Sequence, residues 1–159
     1  MHAEAQRQGP IGVISDTHGL LRPQVLAAFR RAELIVHAGD IGAPHVLDAL
    51  RALAPVRAVR GNVDRGPWAE ALPWFDVFDH GAQRLYVRHD VEALDVDAAA
   101  AGIHVVISGH THQPGARVHD GVLWLNPGSA GPTRGALPAT VALLHLTEQG
   151  PRAHFIEVA

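Results

Sequence analysis

The sequence predicts an α/β protein in which two packed β-sheets carry helices on their outer faces. Three observations support this. The first 60 residues alternate short β-forming runs with amphipathic helical segments. The last third turns hairpin-rich, which favours two sheets over one open sheet. Five of the β-forming runs end in Asp, His or Asn, as expected where strand ends face a ligand crevice.

The elements follow in order. A strand at 11–15 (IGVIS) leads to a helix from Pro23 to Arg31, started by a proline near its first position and burying Val25, Leu26 and Phe29. A strand at 34–38 precedes a second helix at 43–53, with Val46, Leu47, Leu50 and Leu53 on one side, and a third strand follows at 56–60. Residues 66–73 read as a loop containing Pro and Trp; strands at 74–79 and 83–88 flank His80-Gly81. An Ala-rich helix is expected at 92–101, before a buried strand at 103–108. Asp120-Gly121 joins two strands as a tight hairpin. A final pair, 140–146 and 154–158, flanks a turn at Gln149-Gly150-Pro151. Residues 1–9 read as a flexible start and 10–159 as one domain.

Composition narrows the function classes. At 159 residues, 47% apolar and with mean hydropathy of +0.06, the chain suits one globular domain. It has no Cys, so disulfides and thiolate metal sites are excluded, and any metal must be held by nitrogen and oxygen. The N-terminus lacks a secretory pattern and no apolar run is long enough to span a membrane, so a cytoplasmic location and no membrane partner are expected. A net charge of −3 and a pI near 6.4 do not indicate nucleic acid as a stable partner, although all 13 basic residues are Arg. Trp68 and Trp74 offer an apolar contact through which a homo-oligomer could form.

The strand ends carry Asp16-Thr17-His18, Gly39-Asp40, Gly61-Asn62, His89 and Gly109-His110-Thr111-His112. Taken singly, most have plainer readings: Asp16 and Asp40 as helix caps, His18 as a surface residue, Asn62 as an ordinary turn. The pairs Asp16/His18 and His110/His112 are spaced i, i+2, so in extended backbone each pair leaves one face and can reach one cation. Their conjunction in one order at strand ends favours a shared two-metal hydrolytic site over five structural accidents. Two carboxylates against two divalent cations leave a positive surplus suited to an anionic phosphate.

With DTH, GD, GNVD, a strand-ending His, and GHTH followed by NPGS, the chain resembles the calcineurin-like metallophosphoesterases, and specifically their small single-domain bacterial and archaeal phosphodiesterases. The resemblance runs from Asp16 to Ser129 and implies a four-layer α/β/β/α sandwich of two mixed sheets. It implies that Asp16, His18 and His112 bind one metal, that Asn62, His89 and His110 bind the other, and that Asp40 bridges both. A hydroxide held between the ions would attack phosphorus in line, with Asn62 near a phosphate oxygen and Asp40, Asn62 and His110 as the catalytic residues. The ions would be two divalent transition metals, Mn first among Fe, Ni, Zn and Co, and the substrate a small phosphodiester, with monoesters a further candidate. His37 is expected to orient ligands from behind, and Asn126 and Ser129 to shape the wall of the site.

Two positions depart from the family pattern. Larger phosphatases of the family place a His, thought to protonate the leaving group, directly after the metal-binding Asn; here Val63 stands there. Asp90 and Val91 follow His89 where the small branch usually has Gly and His, which makes His80 the alternative ligand to check. The competing function is a non-catalytic scaffold, because a retromer subunit of the same fold binds proteins. Retention of His18, His110 and His112 favours catalysis.

Overall fold

A computed structural model describes residues 9–133 and 135–159. Of the expected flexible start, 1–8 lie outside the described residues, and the Gly9 amide donates to Glu33 Oε2 at 3.0 Å.

Strands β1 (Ile11–Ile14), β2 (Leu34–His37) and β3 (Val56–Ala58) are joined by helices α1 (Pro23–Ala28) and α2 (Pro44–Arg51), each with proline in its first turn, where a missing N–H costs nothing. Then come α3 (Pro67–Glu70), β4 (Phe75–His80), β5 (Gln83–Arg88), a 3-10 turn at Val91–Ala93, and β6 (Val105–Ile107). The chain closes with β7 (Gly115–His119), β8 (Val122–Asn126), β9 (Thr140–Thr147) and β10 (Gly150–Glu157).

Two mixed five-stranded sheets result, ordered β10-β9-β1-β2-β3 and β4-β5-β6-β8-β7. Each has a parallel core, β1-β2-β3 in one and β5-β6-β8 in the other, flanked by antiparallel strands. The inner faces meet in one apolar layer, with Ile11, Val13 and Val36 from the first sheet packed with Leu85, Val105 and Leu125 from the second. Full burial of such side chains contributes about 1.5–3 kcal/mol each. On the first sheet's outer face, Val25, Phe29, Val46 and Leu50 of the helical layer cover Ile14 and Ile35. The aromatic ring of Phe29 leaves no room for a side chain at Gly12.

The structure corrects the reading in three places. Residues 92–101 form a 3-10 turn and further turns instead of an α-helix; Asp97 Oδ1 accepts the Ala100 amide at 3.2 Å, a local bond that competes with helix formation. This segment, with Leu94, Ala98 and Ile103, covers Tyr86 and Val106 and supplies the thin fourth layer. Within the expected loop at 66–73, Pro67 starts the single helical turn α3. The last hairpin turns at 148–149, and Gly150 and Pro151 already pair with Thr147 and Leu146.

Candidate metal centre

The parallel strands of both sheets end at one edge of the sandwich. Asp16 and His18 follow β1, Asp40 follows β2, Asn62 follows β3, His89 follows β5, and His110 and His112 follow β6. Six described non-glycine residues have positive φ, and five of them are here: Asp16 (57°), His18 (47°), Asp40 (56°), His110 (73°) and His112 (65°). Such backbone costs on the order of 1 kcal/mol or more per residue and persists only where surrounding contacts enforce it.

Those contacts are visible. Asp16 Oδ2 accepts the Ser15 hydroxyl at 2.7 Å and the His110 amide at 3.1 Å, which leaves Oδ1 facing inward. Asp40 Oδ1 accepts the Val63 amide at 3.1 Å, which leaves Oδ2 facing inward. Around Asp16 Oδ1 stand Nε2 of His112 at 3.3 Å, His18 at 3.8 Å and His89 at 3.9 Å. Around Asp40 Oδ2 stand Nε2 of His89 at 3.2 Å and of His18 at 3.9 Å. Donor atoms on one ion with bonds of about 2.0–2.2 Å have roughly these separations.

Among the described residues, Asp16 Oδ1 and His18 Nε2 are buried without a hydrogen-bond partner, and His89 Nε2 faces only the inward carboxylate oxygens, the nearer being Asp40 Oδ2 at 3.2 Å. An orphaned buried polar atom typically costs about 1–3 kcal/mol. Two sets of converging donors, Asp16/His18/His112 and Asp16/Asp40/His89, fit divalent cations, and Asp16 belongs to both. His110 stands edge-on to His89, ring centroids 5.1 Å apart, and shares a cavity wall with His89 and Asn62.

Glycines precede ligands here for a steric reason. A Cβ on Gly61 would overlap the backbone and carboxylate of Asp40, and one on Gly109 would overlap the Ser15 hydroxyl. Each strand end is pressed against the ligand of its neighbour.

The residues expected behind the site are placed as follows. His37 is fully buried; its Nδ1 accepts the Gly39 amide at 3.1 Å, so Nε2–H donates to the Thr17 hydroxyl at 3.0 Å, which in turn donates to the Ile41 carbonyl. Among the described residues the His37 hydrogen bonds go to Gly39 and Thr17, which braces both ligand loops. Asn126 donates to the Gly109 carbonyl and Thr111 hydroxyl at 3.0 and 3.1 Å, and Ser129 donates to the Asp16 carbonyl at 3.0 Å. His89 is buried between Asp40 and the Ala38 carbonyl, whereas His80 lies against Glu33 Oε1 at 2.8 Å, within reach of the N-terminal Gly9 that the same carboxylate holds. The geometry therefore brings His89, and not His80, to the cluster.

Sequence reasoning gave no role to Asp64, the last residue of GNVD. Its buried carboxylate accepts the amides of Ile41, Gly42 and Gly61, tying the Asp40 loop to the Asn62 loop. Arg22 was also missed; it donates to the Ala130 and Gly131 carbonyls and clamps the first loop to the last. The motif was the available signal for Asp64, and none marked Arg22. Trp68 packs on the outer helical layer, while Trp74 is 52% exposed.

Electrostatics follow from burial and neighbours. Burial pushes His37 down to about 3, so it is neutral and serves as a fixed donor and acceptor. Burial alone would raise the Asp40 carboxyl, but the His89 imidazole and the Val63 amide outweigh it and hold the group below its ordinary value. Burial alone would lower His89; the Asp40 and Asp16 carboxylates outweigh that and raise it.

Comparison with known proteins identifies the family. The calcineurin-like phosphoesterase superfamily domain matches residues 10–149, so the chain belongs to that family. It is 40% identical over 147 residues to a probable metallophosphoesterase of Methanothermobacter thermautotrophicus, covering 84% of each protein. Among solved structures it resembles an archaeal phosphodiesterase, with 25% identity, a TM-score of 0.76, and coverage of 92% of this chain and 99% of that one. A mutant Vps29 from Entamoeba histolytica shares the fold, at 24% identity and a TM-score of 0.72, covering 94% of this chain and 99% of that one. The chain is thus a calcineurin-like phosphoesterase with residues fit to bind metal.

Proposed function

We propose that the protein is a phosphodiesterase, with monoesters as secondary substrates, that works with two divalent transition-metal ions. Asp16, His18 and His112 would hold one ion, Asn62, His89 and His110 the other, and Asp40 both. The observation that carries this reading is the convergence of two inward carboxylate oxygens, each fixed by its own second oxygen, on imidazole nitrogens 3.2–3.9 Å away. Mn²⁺ is the favoured ion, with Fe, Ni, Zn and Co compatible with the same donors. Bound ions would offset phosphate charge and lower the pKa of water. The chain's own part is to fix that geometry and to place Asn62 and His110 against the phosphate oxygens.

Val63 leaves its position without a proton donor: its side chain is 44% exposed, and only its amide engages the centre. A general acid is typically worth about 10²–10⁴ in rate, so turnover should depend steeply on leaving-group pKa.

Elemental analysis and a phosphoester panel test the proposal. Native protein should carry two ions and hydrolyse bis(p-nitrophenyl) phosphate, with activity lost on chelation and restored by Mn²⁺. Asp40→Ala should lose both ions, and full occupancy in that variant would sink the assignment. The scaffold reading takes over if metal-loaded protein cleaves no mono- or diester; the complete set of site imidazoles speaks against it.

A further inference from the structure

A cavity of about 190 Å³ adjoins the metal centre. One wall is Asn62, His89 and His110; the other is Arg60, Trp74 and Arg88. Among the described residues the arginines paired with carboxylates are Arg51, Arg57 and Arg84, all on other surfaces, and neither Arg60 nor Arg88 has such a partner. Arg60 is held in place: its Nε donates to the Asp64 carbonyl at 3.1 Å, and its guanidinium lies 4.6 Å from the centre of the Trp74 ring. Its two terminal nitrogens make no hydrogen bond among the described residues. Arg88 donates one long hydrogen bond, 3.5 Å to the Tyr86 hydroxyl, and its guanidinium lies 5.6 Å from the centre of the Phe75 ring. Asp90 also lines the cavity, but its Oδ1 caps the following 3-10 turn through the Glu92 amide, and two cations outnumber it.

Unneutralised guanidiniums beside a phosphate-cleaving centre call for an anion on the substrate itself. We infer that this cavity binds a second phosphate directly linked to the scissile one, so that the substrate class is an organic diphosphate. The inference rests on the phosphoesterase reading and explains how the site manages with Val63. In the hydrolysis of a P–O–P linkage, the oxygen of water bonds to phosphorus and the bond to the bridging oxygen breaks. The electron pair leaves on the second phosphate, and the protons of water pass to solvent. A departing phosphate is far less basic than an alkoxide, and Arg60 and Arg88 stabilise its charge at a site where Val63 offers no proton.

The test compares two probes with no hydrolysable bond, methylphosphonate and methylenediphosphonate, titrated calorimetrically into protein loaded with Mn²⁺ held in constant excess. Native protein should prefer the diphosphonate. Arg88→Gln and Arg60→Gln should each cut that preference about tenfold or more, the usual scale of a lost charge-assisted bond. Arg88→Gln gives up only one long hydrogen bond and a loose contact with the Phe75 ring, so it remains informative if Arg60→Gln folds poorly. No preference in native protein, or one unchanged in both variants, overturns the subsite. Hydrolysis of bis(p-nitrophenyl) phosphate by native protein is read separately. If it is absent while the arginine-dependent preference holds, the phosphodiesterase reading falls and the anion subsite stands.

Discussion

Asp40 and Asp120 share almost the same backbone, φ 56° and 52°, at two very different places. Asp120 sits in the exposed hairpin between β7 and β8, where Asp-Gly is the residue pair a tight turn prefers, so its left-handed backbone is chosen locally. Asp40 is buried at the end of β2, and its conformation is imposed from outside by Gly61, Val63 and, through Asp64, the Ile41 and Gly42 amides that follow it. One residue type in one conformation is thus relaxed at the hairpin and held under load at the site. Strain of this kind keeps donors aimed where no covalent structure would put them.

The largest effect should come from removing the space that permits the loaded arrangement. Gly109→Ala or Gly61→Ala should destabilise the fold by about 3 kcal/mol or more through overpacking, and should abolish metal binding. Thermal denaturation with elemental analysis measures both. A stable, metal-loaded Gly61→Ala would show that Asp40 is not held by close approach, and the contrast with Asp120 would collapse.

Next in size is Asp64→Ala, which frees three amides at once and should cost about 2–3 kcal/mol while lowering metal affinity. Denaturant titration with and without metal reads the two effects. An unchanged metal affinity would mean the ligand loops hold themselves.

A pH series separates the buried imidazoles. His37 is depressed to about 3, so below its ordinary 6.5 the unfolded chain takes up a proton that the folded one refuses. Stability of the metal-free protein should therefore fall as pH drops below 6.5, the slope from this group approaching about 1.4 kcal/mol per pH unit near pH 5. His89 is raised, so its contribution is fully present below 6.5 and is lost as pH rises above it. The two windows do not overlap. His37→Gln should flatten the acid-side slope, and an unaltered slope would place its origin elsewhere.

The smallest effect is also the most direct comparison. His110→Asn should raise the stability of the metal-free protein by about 0.5 kcal/mol, because Asn tolerates left-handed backbone better. Asp120→Asn should change it by less than that. Equal effects would mean the site is under no more load than the hairpin.

The site was legible in the sequence because each strand ends in its ligand. β-branched runs fix where the backbone stops being extended, and Asp16, Asp40, Asn62 and His89 stand within a few residues of those stops. The supports were harder to see. Arg22 acts by hydrogen-bonding backbone carbonyls more than 100 residues away, and nothing in local spacing records such a bond; Ser129, which holds the Asp16 carbonyl over a similar distance, was expected only from the family resemblance. The same limit explains 92–101, where Ala-rich composition suggested helix while Asp90 and Asp97 each captured a nearby amide. At α3, Pro67 was itself a helix-starting signal, masked by the Gly and Trp beside it.

β1 pairs with β2 on one side and with β9 on the other, its Ile11 opposite Leu144. The Ala130 and Gly131 amides also bond the Ser15 and Asp16 carbonyls. A ribosome therefore releases the residues around Asp16, His18 and Asp40 long before the segment that completes them exists. Contacts this remote in sequence form late and slowly. Until then β1 has one bare edge and the Asp16 loop has no floor. Any metal that the site takes would accordingly be captured only after the last strands have paired with β1.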